Sequence, residues 1–278
     1  MENLLVEVNK SVTRSALRYF GGKWAIAPWI IEHMPDHRVY VEPFGGAASV
    51  LLRKPRSKIE VYNDLDDEIV GIFRVLQDPV SCQALTRRLR RTPYSRREFE
   101  LTFKPSADPV IRAQRAIVRA YMSFHHEALF NLRETTFANA KHRKSGNSCK
   151  AHEWANYPRN LVNICRRLTG VFIESHDALE VIRTQDAPDV LFFVDPPYLP
   201  STRSNCGYRC ELTEQQHIAL LETLCAAKGR VLLSGYPSDL YDQMLSDWRR
   251  VTRPHRAAGS ARLRTEVLWL KTGEGQKK

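Results

Sequence analysis

A carboxylate followed at once by two prolines and a phenol, Asp195-Pro196-Pro197-Tyr198, closes the apolar run Leu191-Phe192-Phe193-Val194. Neither proline donates a backbone hydrogen bond, and each holds the residue before it extended. A ladder therefore cannot continue, and Asp195 and the Pro196 carbonyl are fixed at a strand end, where open α/β sheets bind ligands. Two further groups stand at the ends of earlier strand candidates. Pro43-Phe44-Gly45-Gly46-Ala47-Ala48 leaves a strand with few bulky side chains, so a ligand can approach its backbone N–H groups; it is neither G-x-G-x-x-G nor a Lys-Ser/Thr phosphate loop. Asp64 ends the next strand, where an acidic residue in doubly wound nucleotide-binding folds accepts hydrogen bonds from ribose hydroxyls. Together they suggest an adenosine pocket. The plainer alternatives are a tight turn, an Asp capping the next helix, and an Asp195 that satisfies loop N–H groups.

Bringing these groups together takes strands that end side by side. Strands are expected at 39–42, 59–62, 171–174, 190–194, 231–234 and 267–270, each short, apolar and rich in β-formers. A helix is expected to start over Ser49–Arg53, and helical spacing runs through Leu65, Ile69, Ile72, Phe73 and Leu76. Helices are also expected at Pro109–Phe124 and, with a cap at Thr213, up to Ala227. The βαβα order of the first third predicts a parallel sheet. From 78 to 158 the chain turns basic and helix-leaning, with no convincing strand. The expected architecture is α/β: a doubly wound sheet formed by 1–77 and 159–278, interrupted by a mostly helical insert at 78–158.

Lys and Arg outnumber Asp and Glu by 42 to 31, a net charge of +11 that favours a polyanionic partner. The charge is concentrated in the insert, at Arg87, Arg88, Arg90, Arg91, Arg96 and Arg97 and again at Lys141, His142, Arg143, Lys144 and Lys150, interleaved with aromatic and polar residues. That composition fits a nucleic-acid face, although charge runs are more often solvated helix faces. The six cysteines show no C-x-x-C pair, so reduced thiols and no metal are expected; Cys149 with His142 and His152 is a remote zinc candidate. His125 and His126 lack an acidic ligand set. No apolar run reaches membrane-spanning length and the N-terminus lacks a signal-peptide pattern, which points to the cytoplasm.

Four motifs in order, Arg18-Tyr19-Phe20-Gly21-Gly22-Lys23, Phe44-Gly45-Gly46-Ala47, Asn63-Asp64 and Asp195-Pro196-Pro197-Tyr198, resemble the Dam-like (D12, alpha) class of S-adenosylmethionine-dependent DNA adenine-N6 methyltransferases. The resemblance covers most of Arg18 to Leu270, weakly across the insert. It implies a Rossmann-like methyltransferase sheet and makes 78–158 the target-recognition segment. S-adenosylmethionine is the implied cofactor, bound by Tyr19, Lys23, Phe44, Gly45, Gly46, Ala47, Asp64 and Asp177, with Asp195 shared between cofactor edge and catalytic site. Asp195, Pro196, Pro197 and Tyr198 are the implied catalytic turn. Duplex DNA is the implied partner, with Arg87, Arg88, Arg90, Arg91, Lys141, Arg143 and Lys144 as DNA-binding candidates and a cognate restriction endonuclease as a candidate second partner.

The chemistry suits these residue types. The exocyclic amine of adenine is a poor nucleophile because its lone pair is delocalised into the ring. A carboxylate and a carbonyl that accept its two hydrogens steer the nitrogen towards tetrahedral geometry, so positioning and electrostatics supply the acceleration without a metal or covalent intermediate. Tyr198 offers a ring for an extruded base. Ser234-Gly235-Tyr236 and Arg264-Thr265-Glu266-Val267 are expected to shape the far wall of the base pocket. Tyr19 stands where Dam proteins more often carry Trp, and 125–130 lacks their N-R-x-x-F-N-G-like run, so the target sequence is open. The alternatives are N4-cytosine methylation, whose enzymes more often carry Ser in place of Asp195, N6-adenine methylation of RNA, or a non-catalytic DNA-binding relative. A C5-cytosine enzyme lacks its Pro-Cys motif here, and a dinucleotide oxidoreductase its glycine fingerprint.

Overall fold

A computed structural model describes residues 12–19, 21–124, 136–139, 149–202, 209–256 and 263–272. The apolar runs become β1 (Val39–Glu42), β2 (Ile59–Asn63), β3 (Phe172–Glu174), β4 (Val190–Val194), β5 (Arg230–Gly235) and β7 (Leu263–Lys271), joined by β6 (Arg249–Arg256). They form one seven-stranded sheet in the order β3-β2-β1-β4-β5-β7-β6. Strands β1 to β5 are parallel, which brings the ends of β1, β2 and β4 to one edge.

Two expectations need correction. The sheet is mixed, because β7 runs antiparallel to both β5 and β6. Strand β6 shows no apolar run: it is an edge strand in which Arg249, Arg250 and Arg253 are exposed and Pro254 is tolerated. The second correction concerns Ser49–Arg53, which forms consecutive turns rather than an α-helix. Ala48 enters the segment in the left-handed region at φ 51°, and Pro55 follows one residue after Lys54, leaving room for about one turn.

Helices cover both faces of the sheet. α1 (Ala27–Glu32) precedes β1; α2 (Asp67–Gln77), α3 (Pro79–Arg91), α4 (Arg96–Leu101), α5 (Pro109–Met122), α6 (Lys150–Asn156) and α7 (Leu161–Leu168) lie between β2 and β3. α8 (Ala178–Gln185), α9 (Glu214–Ala226) and α10 (Asp239–Met244) follow β3, β4 and β5. On one face Tyr40, Tyr62, Leu191, Phe193 and Leu232 pack with Ile30 of α1, Phe73 of α2 and Ile117 of α5. On the other, Val41, Val61, Phe192, Val194 and Leu233 pack with Ile182, Leu221 and Tyr241 of α8, α9 and α10. This alternation is what a sheet buried on both sides requires.

Helix boundaries follow local chemistry. Asp66 caps α2 through the Glu68 N–H, and the Asp78 carboxylate caps α3 through the Ser81 N–H, with Pro79 in the first turn. Thr213 and Gln216 form a reciprocal capping box on α9. Within 78–158 the described residues are helical apart from turns and an isolated bridge between Ser123 and Phe137. Cys82, Leu85, Ile117 and Trp154 of this segment join the same core as Tyr62 and Phe73, so its helices are built onto the sheet rather than hung from it.

Candidate active site

The loop after β1 is shaped by aromatic rings that leave no room for side chains. A Cβ on Gly45 would lie 2.1 Å from the Tyr62 ring, and one on Gly46, at φ +47°, 2.9 Å from the Tyr19 ring. The Tyr62 hydroxyl donates to the Gly46 carbonyl at 2.8 Å. The Asp64 carboxylate accepts from the backbone N–H groups of Gly46 (2.8 Å) and Asp66 (2.9 Å); burial nonetheless raises its pKa to about 6. Asn63 binds three loops together: its carboxamide donates to the carbonyls of Pro43 (2.9 Å) and His176 (3.0 Å) and accepts from the His176 N–H. Asp177, next in the chain, caps α8 through Leu179 and Glu180.

These loops enclose one cavity. Tyr19, Phe44, Gly45, Asp64, Asp177 and Asp195 all line it, so the structure brings together cofactor candidates taken from five separate stretches of sequence. Gly46, Ala47, Lys23 and Pro197 line it as well. The wall carries buried carboxylates that no sequence motif marks. Glu42 accepts from the Tyr40 hydroxyl and the Leu51 N–H, and burial raises its pKa to about 7. Asp66 Oδ2 is buried with no hydrogen-bond partner among the described residues. Arg209 pairs with the other oxygen of Asp66 at 3.0 Å, so the wall carries acids and a base side by side.

At the end of β4 the Asp195 Oδ1 atom accepts from the Ser234 hydroxyl at 2.8 Å and lies 2.9 Å from Lys23 Nζ. Lys23 is thus turned towards the proline-flanked carboxylate. Its ammonium also donates to the Gly21 carbonyl at 2.8 Å and sits 4.7 Å from the centroid of the Tyr198 ring. Tyr198 is only 7% exposed. Its hydroxyl donates to Glu266, and Tyr236 meets it edge-on at 4.7 Å, so a base reaches its face only as Lys23 or Tyr236 gives way. The Arg264 guanidinium stacks 5.1 Å over Tyr236. Ser234, Tyr236 and Glu266 thus stand beside the Asp195–Tyr198 turn. The Ser234–Asp195 and Lys23–Asp195 pairings carry no local sequence signal, because they join distant segments.

Arg87, Arg88, Arg90 and Arg91 are exposed on α3. Arg88 donates to Gln114 of α5 at 2.6 Å, and Arg87, Arg88 and Arg91 border a shallow surface groove. The end of α3 that bears them is tied to the cavity side: Trp154 donates to the Thr92 carbonyl, Trp154 packs on Tyr121, and Arg18, next to Tyr19, lies over the Tyr121 ring. Lys141, Arg143, Lys144, His142, His125, His126 and Cys206 lie outside the described residues.

A doubly wound sheet with an antiparallel last pair, a ligand cavity at its carboxyl edge and a carboxylate-proline-proline-tyrosine turn opening onto that cavity defines a Rossmann-like α/β enzyme of the methyltransferase type. Residues 19–256 match the family of D12 class N6 adenine-specific DNA methyltransferases, and the chain belongs to that family. It is 25% identical over 256 residues to the DNA adenine methylase of Escherichia coli (strain K12), spanning 87% of this chain and 86% of that protein. It is 22% identical over 255 residues to the DNA adenine methylase of Salmonella typhi, with the same coverage. Family membership sets adenine in DNA above the N4-cytosine, RNA and non-catalytic alternatives.

Proposed function

We propose that this adenine-specific DNA methyltransferase transfers a methyl group from S-adenosylmethionine to N6 of an adenine extruded from duplex DNA. When bound, S-adenosylmethionine supplies an electrophilic methyl group on a sulfonium. The residues present fit it. The Gly45-Gly46 turn, with no space for a Cβ, lets a ligand lie against the backbone. Glu42, Asp64 and Asp66 give the cavity acceptors for hydroxyl and amine groups, and the buried Asp66 Oδ2 calls for a donor. Tyr19 and Phe44 to Ala47 would hold the methionine end, Asp64 the ribose and Asp177 the adenine side, with Lys23 between this cavity and the catalytic turn.

A second carboxylate oxygen of Asp195 and the Pro196 carbonyl accept the two hydrogens of the target amine, while Ser234 and Lys23 fix the first oxygen. Pro197 holds the turn and Tyr198 receives the base. The observation that carries this reading is the Asp195 carboxylate, pinned from two sides at the rim of the cavity that Gly45, Asp64 and Asp177 line. Incubating the protein with labelled S-adenosylmethionine and duplex DNA, then digesting to nucleosides, is expected to put the label in N6-methyladenine. Label confined to cytosine would overturn the reading.

The segment 78–158 is proposed as the target-recognition part, with the α3 arginines on DNA phosphates; their exposure and their tie to the Tyr19 segment support this. Neutralising Arg87, Arg88, Arg90 and Arg91 is expected to flatten the salt dependence of DNA binding by about 0.9 in log–log slope for each phosphate they neutralise in the wild-type complex. An unchanged slope returns them to a solvated helix face.

A further inference from the structure

Glu266, on β7, is 1% exposed and lies behind Tyr198. Its Oε1 accepts the Tyr198 hydroxyl and is 3.7 Å from Lys23 Nζ, which is itself 2.9 Å from Asp195 Oδ1. One ammonium and two carboxylates thus meet at a single buried point, with the Tyr198 ring against the ammonium. We infer that Glu266 is a positioning residue for methyl transfer: ionised, it anchors the Tyr198 ring and the Lys23 ammonium, and it adds negative charge beside the point where the amine nitrogen turns positive. The inference rests on the roles proposed above for Asp195 and Tyr198.

The physical argument is electrostatic. As the new N–C bond forms, positive charge develops on N6, and fixed negative charge in a water-poor site stabilises it more than solvent would. Protonating Glu266 removes its share of that negative charge. Among the described residues, Lys23 from the segment before α1, Asp195 and Tyr198 from the turn after β4, and Tyr236 after β5 face Glu266. Arg264 lies two residues earlier on its own strand, and Arg253 is its register partner on β6. Burial raises the Glu266 pKa to about 7, with Lys23 opposing the effect and Asp195 adding to it.

The test compares E266Q with wild type in single-turnover methyl transfer to plasmid DNA. Glutamine keeps the shape and cannot ionise. The variant should be slower by about tenfold at pH 8 and by only about twofold at pH 6, where most wild-type Glu266 is protonated. Glu42 titrates in the same range but is common to both proteins, so the ratio isolates Glu266. A ratio constant with pH overturns the inference. A second readout needs neither DNA nor methyl donor: wild type should lose thermal stability as pH rises from 5 to 7, and E266Q should lose less; parallel curves count against the inference. Should E266Q not fold, a wild-type rate that is flat between pH 6 and 8 still overturns it. Wild-type protein inactive at every pH would sink the underlying reading of the site as well, a result distinct from each of these.

Discussion

Lys54 and Lys23 each lie over a tyrosine ring whose hydroxyl donates to a buried glutamate. Lys54 Nζ is 4.3 Å from the centroid of Tyr40, whose hydroxyl binds Glu42, as Lys23 Nζ is 4.7 Å from that of Tyr198, whose hydroxyl binds Glu266. The difference is in the remaining charges. Lys54 is 2.7 Å from Glu60, and Arg167 makes two more hydrogen bonds to the same carboxylate at 2.6 and 2.8 Å. Burial alone would raise the Glu60 pKa, but Arg167 and Lys54 together hold it below the usual value. Around Lys23 two carboxylates meet one ammonium, burial wins, and Glu266 is pushed up. The Lys54–Glu60–Arg167 pairing is sealed within the fold and touches the cavity wall only through the neighbouring Glu42, whereas Asp195 opens onto the cavity. Burial and ion pairing are thus common to both clusters; one ammonium shared between a buried carboxylate and one that opens onto the cavity belongs to the second alone, and it is there that we place the chemistry.

The largest expected effects separate the clusters by what they damage. Asp195→Asn should lower single-turnover methyl transfer by about a thousandfold, because an amide N–H opposes the amine hydrogens, while thermal unfolding moves by only a few degrees. Arg167→Met should do the reverse, destabilising the fold by about 3–5 kcal/mol by leaving Glu60 short of a partner, with the rate per folded molecule retained. An Arg167→Met protein that is stable but inactive would break the comparison.

The pH dependence of stability should differ in sign. Glu266 has a folded pKa above the ordinary glutamate value of 4.5, so its contribution is present below about 4.5 and disappears as pH rises through about 7. Glu60 has a lowered pKa, so its contribution is present at neutral pH and disappears as pH falls through the folded value. Denaturant titrations from well below pH 4 up to pH 8 should therefore show Glu266→Gln flattening the decline at higher pH and Glu60→Gln flattening the decline below about pH 4.5. Smaller still are the hydroxyl deletions: Tyr40→Phe and Tyr198→Phe should each cost about 1–2 kcal/mol of stability, since each takes a donor from a buried carboxylate. Only Tyr198→Phe should also slow methyl transfer.

The strand ends are legible in the sequence because their signals are local: alternation stops, and a small-residue turn, an acid or a proline pair follows. The four motifs and their order are enough to fix the family and the class of fold. What escapes are features written in pairs of distant residues. Ser234 is 39 positions from Asp195, and Glu266 is 68 from Tyr198; neither separation follows from periodicity. Glu42 reads as a strand residue, and nothing near it in sequence foretells a buried carboxyl in the cavity wall. Strand β6 escapes because edge position permits the arginines and proline that argue against a strand.

The Asn63 carboxamide has a consequence for how such a chain can change over time. It bonds directly to the backbone of His176, 113 residues away, and to Pro43. The mouth of the cavity is thereby tied shut by one side chain, whatever intervenes. Surface turns in the intervening stretch can lengthen at a small entropic penalty, about 0.6 kcal/mol for each doubling of a flexible loop. Relatives can accordingly diverge in their exposed turns while keeping the same cavity mouth.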